Sequence, residues 1–297
     1  MKNVLFTGTC TALVTPFLNG SINYPMMEML LRRQMEAEIQ AVVISGTTGE
    51  SATLSDDEKI ELFRRCKEYV QDRMYIIAGT GSNSTEHAVY LSREAEAAGA
   101  DALLVVSPYY NKATEEGLVA HFMAIAHSVK IPIILYNVPS RTGVDIPVSV
   151  YRRLSAIPNI AGVKEATTDI TKILKIRSSC PDDFFIWSGN DDMTVPIMAL
   201  GGKGVISVLS NVAPTETAAM TEAALAGDFD TAAALQIHLL PLTEALFSQV
   251  NPIPVKAAMK HMGYDCGICR LPLTVLSKEK DAALQKALLP FIQQIQP

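Results

Sequence analysis

The sequence predicts an α/β chain folded as a closed parallel (β/α)8 TIM barrel with a C-terminal helical appendage. Three observations carry that prediction. Eight short apolar runs, at 6–14, 41–45, 75–79, 102–107, 131–137, 160–165, 184–188 and 204–209, recur at intervals of roughly thirty residues. The runs are near-continuously apolar, as expected of parallel strands covered on both faces. The stretches between them carry helical spacing, and alternating strand and helix units point to a parallel sheet. A doubly wound open sheet is the alternative, but it calls for a glycine-rich fingerprint after the first strand, and none follows residues 6–14.

The elements follow in order. Met27, Leu30, Leu31, Gln34 and Met35 mark one face of the first helix. Ser55-Asp56-Asp57-Glu58 reads as a capping box opening the second, and Asn83-Ser84-Thr85-Glu86 as a looser version opening the third. Gly201-Gly202-Lys203-Gly204 lacks phosphate-loop spacing and reads as a turn before the eighth strand. Residues near 214–226 form the last barrel helix. Beyond them, 228–246, 254–262 and 278–295 read as helices with no strands between. The expected organisation is therefore a catalytic barrel over 1–226 and a C-terminal helical domain over 227–297. No Gly/Ser/Pro-rich linker divides the two, so rigid docking is expected.

Composition limits the function classes. Hydrophobic residues make up 48% of 297, enough for a large core. Twenty-five basic against 31 acidic residues give a net charge of −6, with no basic stripe, which argues against nucleic-acid binding. The apolar runs are strand length, and Met1-Lys2-Asn3-Val4 opens no signal-peptide pattern, so a cytoplasmic protein without membrane spans is expected. The cysteines (10, 66, 180, 266 and 269) are odd in number and scattered, which fits reduced thiols. Cys266-Gly-Ile-Cys269 lacks the second half of a zinc site. Asp191-Asp192 has no ligand cluster beside it and the histidines show no metalloprotease spacing, so no metal site is expected.

The chemistry centres on Lys164, in the buried-strand run Asn159 to Ala166. An ammonium is strongly hydrated and rarely placed in an apolar strand. Desolvation favours the neutral amine, and a neutral amine can attack a ketone to form a Schiff base. The competing reading is a lysine whose head reaches solvent or pairs with Glu165. Alternation puts Tyr136 on one face of the fifth strand and Lys164 on one face of the sixth, 28 positions on, so both aim into the barrel mouth. A phenol beside an amine can shuttle protons during carbinolamine formation and dehydration. Gly46-Thr47-Thr48-Gly49 at the second strand end offers hydroxyls and N–H groups to a carboxylate or phosphate, with Glu50 read as a structural acid that bonds loop N–H groups. Arg141 on the loop after strand five can grip a second carboxylate, although a lone loop arginine is also an ordinary surface charge.

Gly46-Thr47-Thr48-Gly49-Glu50, Pro108-Tyr109-Tyr110-Asn111, Tyr136 to Gly143, Val163-Lys164-Glu165-Ala166 and Asn251 to Lys256 occur in that order across nearly the whole chain. Together they resemble the 4-hydroxy-tetrahydrodipicolinate (dihydrodipicolinate) synthases among the pyruvate-dependent Schiff-base aldolases. The lysine, the tyrosine and the GxxGE loop are shared with sister enzymes such as N-acetylneuraminate lyase and keto-sugar-acid aldolases; Thr47-Thr48, Tyr110 and Arg141 are the narrower signals, Arg141 because sugar-acid enzymes generally carry smaller groups there. A barrel that only binds a keto acid is a third reading, opposed by the intact Lys164, Tyr136, Thr48 and Arg141.

The resemblance implies condensation of pyruvate with L-aspartate 4-semialdehyde in lysine and diaminopimelate biosynthesis. Lys164 would form the imine, Thr47 and Thr48 would hold the pyruvate carboxylate, and Tyr136 would relay protons through Thr48 to Tyr110 from a neighbouring subunit. Arg141 would bind the semialdehyde carboxylate, with backbone near Gly189 and Ile206 bordering the substrate. It also implies a homotetramer, a dimer of dimers, with no organic cofactor or metal. Lysine-sensitive relatives bind that amino acid in a cleft matching Ser51, Ala52, Asn83 and Tyr109. The acid expected one helical turn beyond Asn83 is His87 here, and Asp56 and Lys59 stand where sensitive relatives often carry histidines. Weak or absent inhibition by lysine is the expectation.

Overall fold

The computed structural model describes residues 2–292. Eight parallel strands close into a barrel: β1 (Gly8–Ala12), β2 (Ala41–Ile44), β3 (Tyr75–Gly79), β4 (Ala102–Val106), β5 (Ile133–Asn137), β6 (Ile160–Glu165), β7 (Phe185–Ser188) and β8 (Gly204–Ser207). Each pairs with its sequence neighbour, and β8 closes on β1 with Gly8 opposite Gly204 and Thr11 opposite Ser207. Every apolar run in the sequence is one strand, with ends displaced by no more than two residues. The exception is a further two-stranded hairpin, 17–18 with 21–22, between β1 and the first helix.

Two apolar layers explain why the runs are continuous. Cys10, Val43, Ile77, Leu104, Ile134, Phe185, Trp187 and Ile206 point inward and fill the barrel. Trp187 stacks on Phe6 at 5.1 Å and donates its indole N–H to the Phe6 carbonyl (3.2 Å), which plugs the N-terminal end. The alternate residues, among them Val42, Ile44, Ile76, Leu103, Leu135 and Val163, face the surrounding helices. A sheet sandwiched this way has no polar face to show in its sequence.

The helices α1 (Tyr24–Glu36), α2 (Asp56–Val70), α3 (Thr85–Ala97), α4 (Glu115–Ser128), α5 (Pro139–Thr142), α6 (Val148–Leu154), α7 (Ile170–Ser179), α8 (Thr194–Ala199) and α9 (Pro214–Leu225) link successive strands and follow the last. On α1 the expected face is buried except Met35, which is only partly covered. Its polar member Gln34 accepts from Thr11 (2.7 Å) and donates to the Ser210 carbonyl (3.1 Å), tying helix to barrel. The Ser55 capping box is complete: Ser55 Oγ accepts from Glu58 N (3.2 Å) and Glu58 returns the bond to Ser55 N (2.9 Å). At α3 the cap is Ser84, one residue beyond Asn83, accepting from His87 N (3.4 Å). Glu86 then falls one position short of the return bond, so no box forms there.

Three further helices, α10 (Phe229–Leu246), α11 (Ile253–His261) and α12 (Lys278–Ile292), follow without strands. Residues 293–295, expected to extend the last of these, lie outside the described residues. Helix α10 packs on α9 and α12. Between α10 and α12 the chain runs back over the C-terminal mouth of the barrel, where it meets the loops after β2 and β5.

Candidate active site

The loop after β2 is built under strain. Ser45 and Glu50, at either end of Gly46-Thr47-Thr48-Gly49, hold left-handed backbone at φ 57° and 58°. Such conformations cost non-glycine residues free energy and persist where surroundings enforce them. The loop's glycines do not supply the left-handed turns. Gly49 is needed because a Cβ there would sit 3.1 Å from Ser45 N and 3.2 Å from the Leu13 carbonyl. Gly79 at the end of β3 lets the loop settle, since a Cβ would lie 2.2 Å from the Ser45 carbonyl.

Glu50 anchors the loop from beneath, as a structural acid. Its partners belong to the C-terminal part of the chain and not to its own loop. One carboxylate oxygen lies 2.5 Å from Lys256 Nζ on α11 and the other accepts from Arg270 N at 2.8 Å. Both Glu50 and Lys256 are buried, and the ammonium also sits 4.3 Å from the Phe17 ring centre. Removing one partner of a buried pair strands the other charge. Lys256→Met is therefore expected to destabilise the protein by about 3–5 kcal/mol, measured by thermal or denaturant unfolding. Adding Glu50→Gln in the same chain is expected to recover much of that loss, whereas a loss under about 1 kcal/mol in the single variant rules the anchor out.

Lys164 and Tyr136 stand side by side. They are register partners across β6 and β5, and Lys164 Nζ lies 4.4 Å from the centre of the Tyr136 ring. Only 5% of Lys164 and 7% of Tyr136 is exposed, so neither reaches bulk water. Glu165 does not pair with Lys164. It points to the other side of β6, fully buried, and accepts from Tyr151 Oη (2.9 Å) and Asn137 Nδ2 (2.7 Å), with Lys172 Nζ at 3.3 Å. Burial pushes its carboxyl upward, and Lys172, Asn137 and Tyr151 oppose that shift. Lys172 also pairs with Asp145.

A cavity of about 190 Å³ sits above the amine, lined among others by Thr47, Thr48, Tyr136, Arg141, Lys164 and Gly189. Residues from the ends of four separate strands thus share one small chamber. Thr48 is buried, and its hydroxyl accepts from Asn251 Nδ2 at 2.9 Å. Arg141 donates through Nη2 to the Asn251 carbonyl at 3.3 Å. Ile206 is not among the lining residues; it lies below, in the barrel interior, and Val208 meets the cavity instead. Tyr110 is also elsewhere: 90% exposed, with left-handed backbone at φ 71°, it projects from the loop after β4.

Asn251, Lys256 and Arg270 are neighbours of the site that reading residue roles from strand ends missed. Asn251 and Lys256 belonged to a motif noted in the sequence, but no local pattern shows that a side chain 203 positions away will cap Thr48. Asp191 is buried, and its carboxylate accepts from Val208 N (3.0 Å) and Leu209 N (3.1 Å), shaping the cavity's rim. Burial pushes the Asp191 carboxyl upward, against the opposing pull of Ser207 and those two N–H groups. Among the described residues, no group of three or more His, Cys, Asp or Glu side chains is placed to hold a metal ion. Burial pushes the Cys266 and Cys269 thiols up to about 12 and about 11, away from the thiolate that metal binding or redox work requires.

A larger cleft of about 710 Å³ adjoins this chamber and includes Ser51, Ala52, Asp56, Lys59, His87 and Tyr109. Asp56 in this cleft is already engaged: His87 Nε2 lies 2.9 Å from its carboxylate and Lys59 Nζ 3.5 Å from it. Partial burial of Asp56 is outweighed by His87 and Lys59, which hold its carboxyl below the usual range.

Comparison with known proteins points one way. The model of the dihydrodipicolinate synthetase family matches residues 5–290. A 4-hydroxy-tetrahydrodipicolinate synthase of Acetivibrio thermocellus is 46% identical over 291 residues, spanning 98% of this chain and 99% of the relative. Another, of Caldicellulosiruptor saccharolyticus, is 47% identical over 288 residues, 97% of each. Among solved structures, dihydrodipicolinate synthase from Aquifex aeolicus superposes with a TM-score of 0.95 at 41% identity, covering 96% of this chain and 98% of that one. The enzyme from Cyanidioschyzon merolae, solved with lysine bound, gives 0.93 at 40% identity over 96% and 97%.

Proposed function

The chain belongs to the dihydrodipicolinate synthetase family, and on that premise we propose that Lys164 is the amine through which it works. The protein is a lyase of the class I aldolase type that condenses pyruvate with L-aspartate 4-semialdehyde to 4-hydroxy-tetrahydrodipicolinate. The observation that carries the residue assignment is the register pairing of Lys164 with Tyr136, both buried at the floor of one small chamber.

The Lys164 amine attacks the pyruvate ketone carbon, and the carbinolamine loses water to give an imine. Thr47 and Thr48 hold the pyruvate carboxylate at the mouth of the loop. The iminium draws electrons from the methyl group, which loses a proton to become an enamine. The enamine carbon attacks the aldehyde, whose oxygen takes up a proton as the carbon–carbon bond forms. The amino group of the semialdehyde then displaces Lys164 and closes the ring. Tyr136 is the acid and base beside the amine, passing protons through Thr48 to Tyr110 of a neighbouring subunit. The outward projection of Tyr110 supports that last assignment. Arg141 at the rim binds the semialdehyde carboxylate, while Gly189 and backbone near Ile206 border the substrate.

The rest of the proposal follows from the same reading. The iminium is the electron sink, so no organic cofactor or metal is needed. The assembly is a homotetramer in the cytoplasm, and the chain divides into a barrel over 1–226 and a helical domain over 227–297. No helix among the described residues is long and apolar enough to cross a membrane. Borohydride reduction in the presence of pyruvate, followed by mass mapping of the adduct, tests the central assignment: a label on any peptide lacking Lys164 overturns it.

Inhibition by L-lysine is expected to be weak or absent. A bound ammonium needs a free carboxylate, and Asp56 is already held by His87 and Lys59. Half-inhibition below about 1 mM in a titration of activity, a binding free energy beyond roughly −4 kcal/mol, overturns this expectation.

A further inference from the structure

Asn251 stands where the catalytic chamber meets the larger cleft. It is 6% exposed and lines both the catalytic chamber and the larger cleft. Its side-chain N–H meets the Thr48 hydroxyl, and its backbone carbonyl receives Arg141. Its side-chain oxygen is buried and has no donor among the described residues.

That arrangement has a chemical consequence. A threonine hydroxyl carries one proton to give and lone pairs to receive. With an amide N–H filling one lone pair, the hydroxyl is turned so that its own proton points elsewhere. Thr48 is 2% exposed and lines the chamber, so its proton is confined to partners inside the site. A half-turn of the amide would make its oxygen accept the Thr48 proton and withdraw that proton from the relay. The arrangement found keeps the N–H on Thr48 and leaves the oxygen open to a donor arriving with substrate.

We propose that Asn251 is a positioning residue that fixes the direction in which Thr48 passes its proton. The inference rests on the relay reading given above, and the experiment separates the two. Asn251→Ala is expected to lower kcat by roughly tenfold or more with little change in KM for pyruvate, while borohydride trapping on Lys164 persists. Asn251→Asp keeps the shape but presents only acceptors when ionised. Its kcat relative to the unmodified enzyme is expected to be low near about pH 8 and to climb toward about pH 5.5, as the protonated carboxyl regains a donor. In a Thr48→Val background, Asn251→Ala is expected to add no further loss.

Unmodified turnover by Asn251→Asp near neutral pH would show that an acceptor suffices and overturns the proposal. A relative rate that stays flat with pH overturns it too, as do independent, multiplying losses from the Thr48 and Asn251 changes. Normal kinetics in Asn251→Ala beside a slow Thr48→Val sinks this inference alone. Normal kinetics in Thr48→Val sinks the relay reading, and this inference with it. If the alanine variant does not fold, the near-isosteric aspartate variant carries the test through its pH profile.

Discussion

Lys164→Ala is expected to abolish both turnover and borohydride trapping of pyruvate. The imine stores the substrate covalently and supplies the electron sink, so no neighbouring group can substitute by proximity alone. Losing the nucleophile of a unit that acts together typically costs about 10⁶-fold, which places the variant below detection. The fold should survive, because Lys164 has no ion-pair partner among the described residues: Glu165 beside it is engaged by Tyr151, Asn137 and Lys172 on the opposite face of β6. Circular dichroism and thermal unfolding establish the fold. Retained condensation by a folded Lys164→Ala protein would remove the amine from the mechanism.

Tyr136→Phe is expected to lower kcat by about 10²–10⁴-fold, the usual contribution of a positioned general acid or base. The phenyl ring preserves the inner barrel packing and the face presented to Lys164 at 4.4 Å, so only the hydroxyl is lost. Steady-state kinetics with both substrates makes the measurement. The imine should still form slowly, so trapping after long incubation should persist while turnover is slowed. Wild-type kcat in this variant would assign the proton transfers to another group.

Much of this site was legible in the sequence because strands impose a strict period of two. Counting along β5 and β6 was enough to face Tyr136 toward Lys164, and near-continuous apolar runs were enough to find every barrel strand. The same counting stopped working where the strands stopped. β8 ends at Ser207 and passes into a tight turn at Leu209–Asn211, so alternation does not carry to Val208, which lines the chamber; Ile206 is implied by the family resemblance and not by counting. The third helix begins one residue later than the Asn83 motif suggested, because the serine after it provides the cap. Glu50 was legible as structural, but its partners were not. Lys256 and Arg270 come from a segment more than 200 positions away, and only the closed fold brings them to it.

That same segment also sets the moment at which the molecule becomes competent. Translation supplies all eight strands before it reaches Asn251. A chain still on the ribosome can close its sheet while Thr48 lacks its amide partner and Glu50 its cation. Domains generally fold as they emerge, so such a barrel exists for a time without a finished pyruvate pocket. The chamber around Lys164 is therefore complete only once the segment from Asn251 to Arg270 has been made and laid across the mouth.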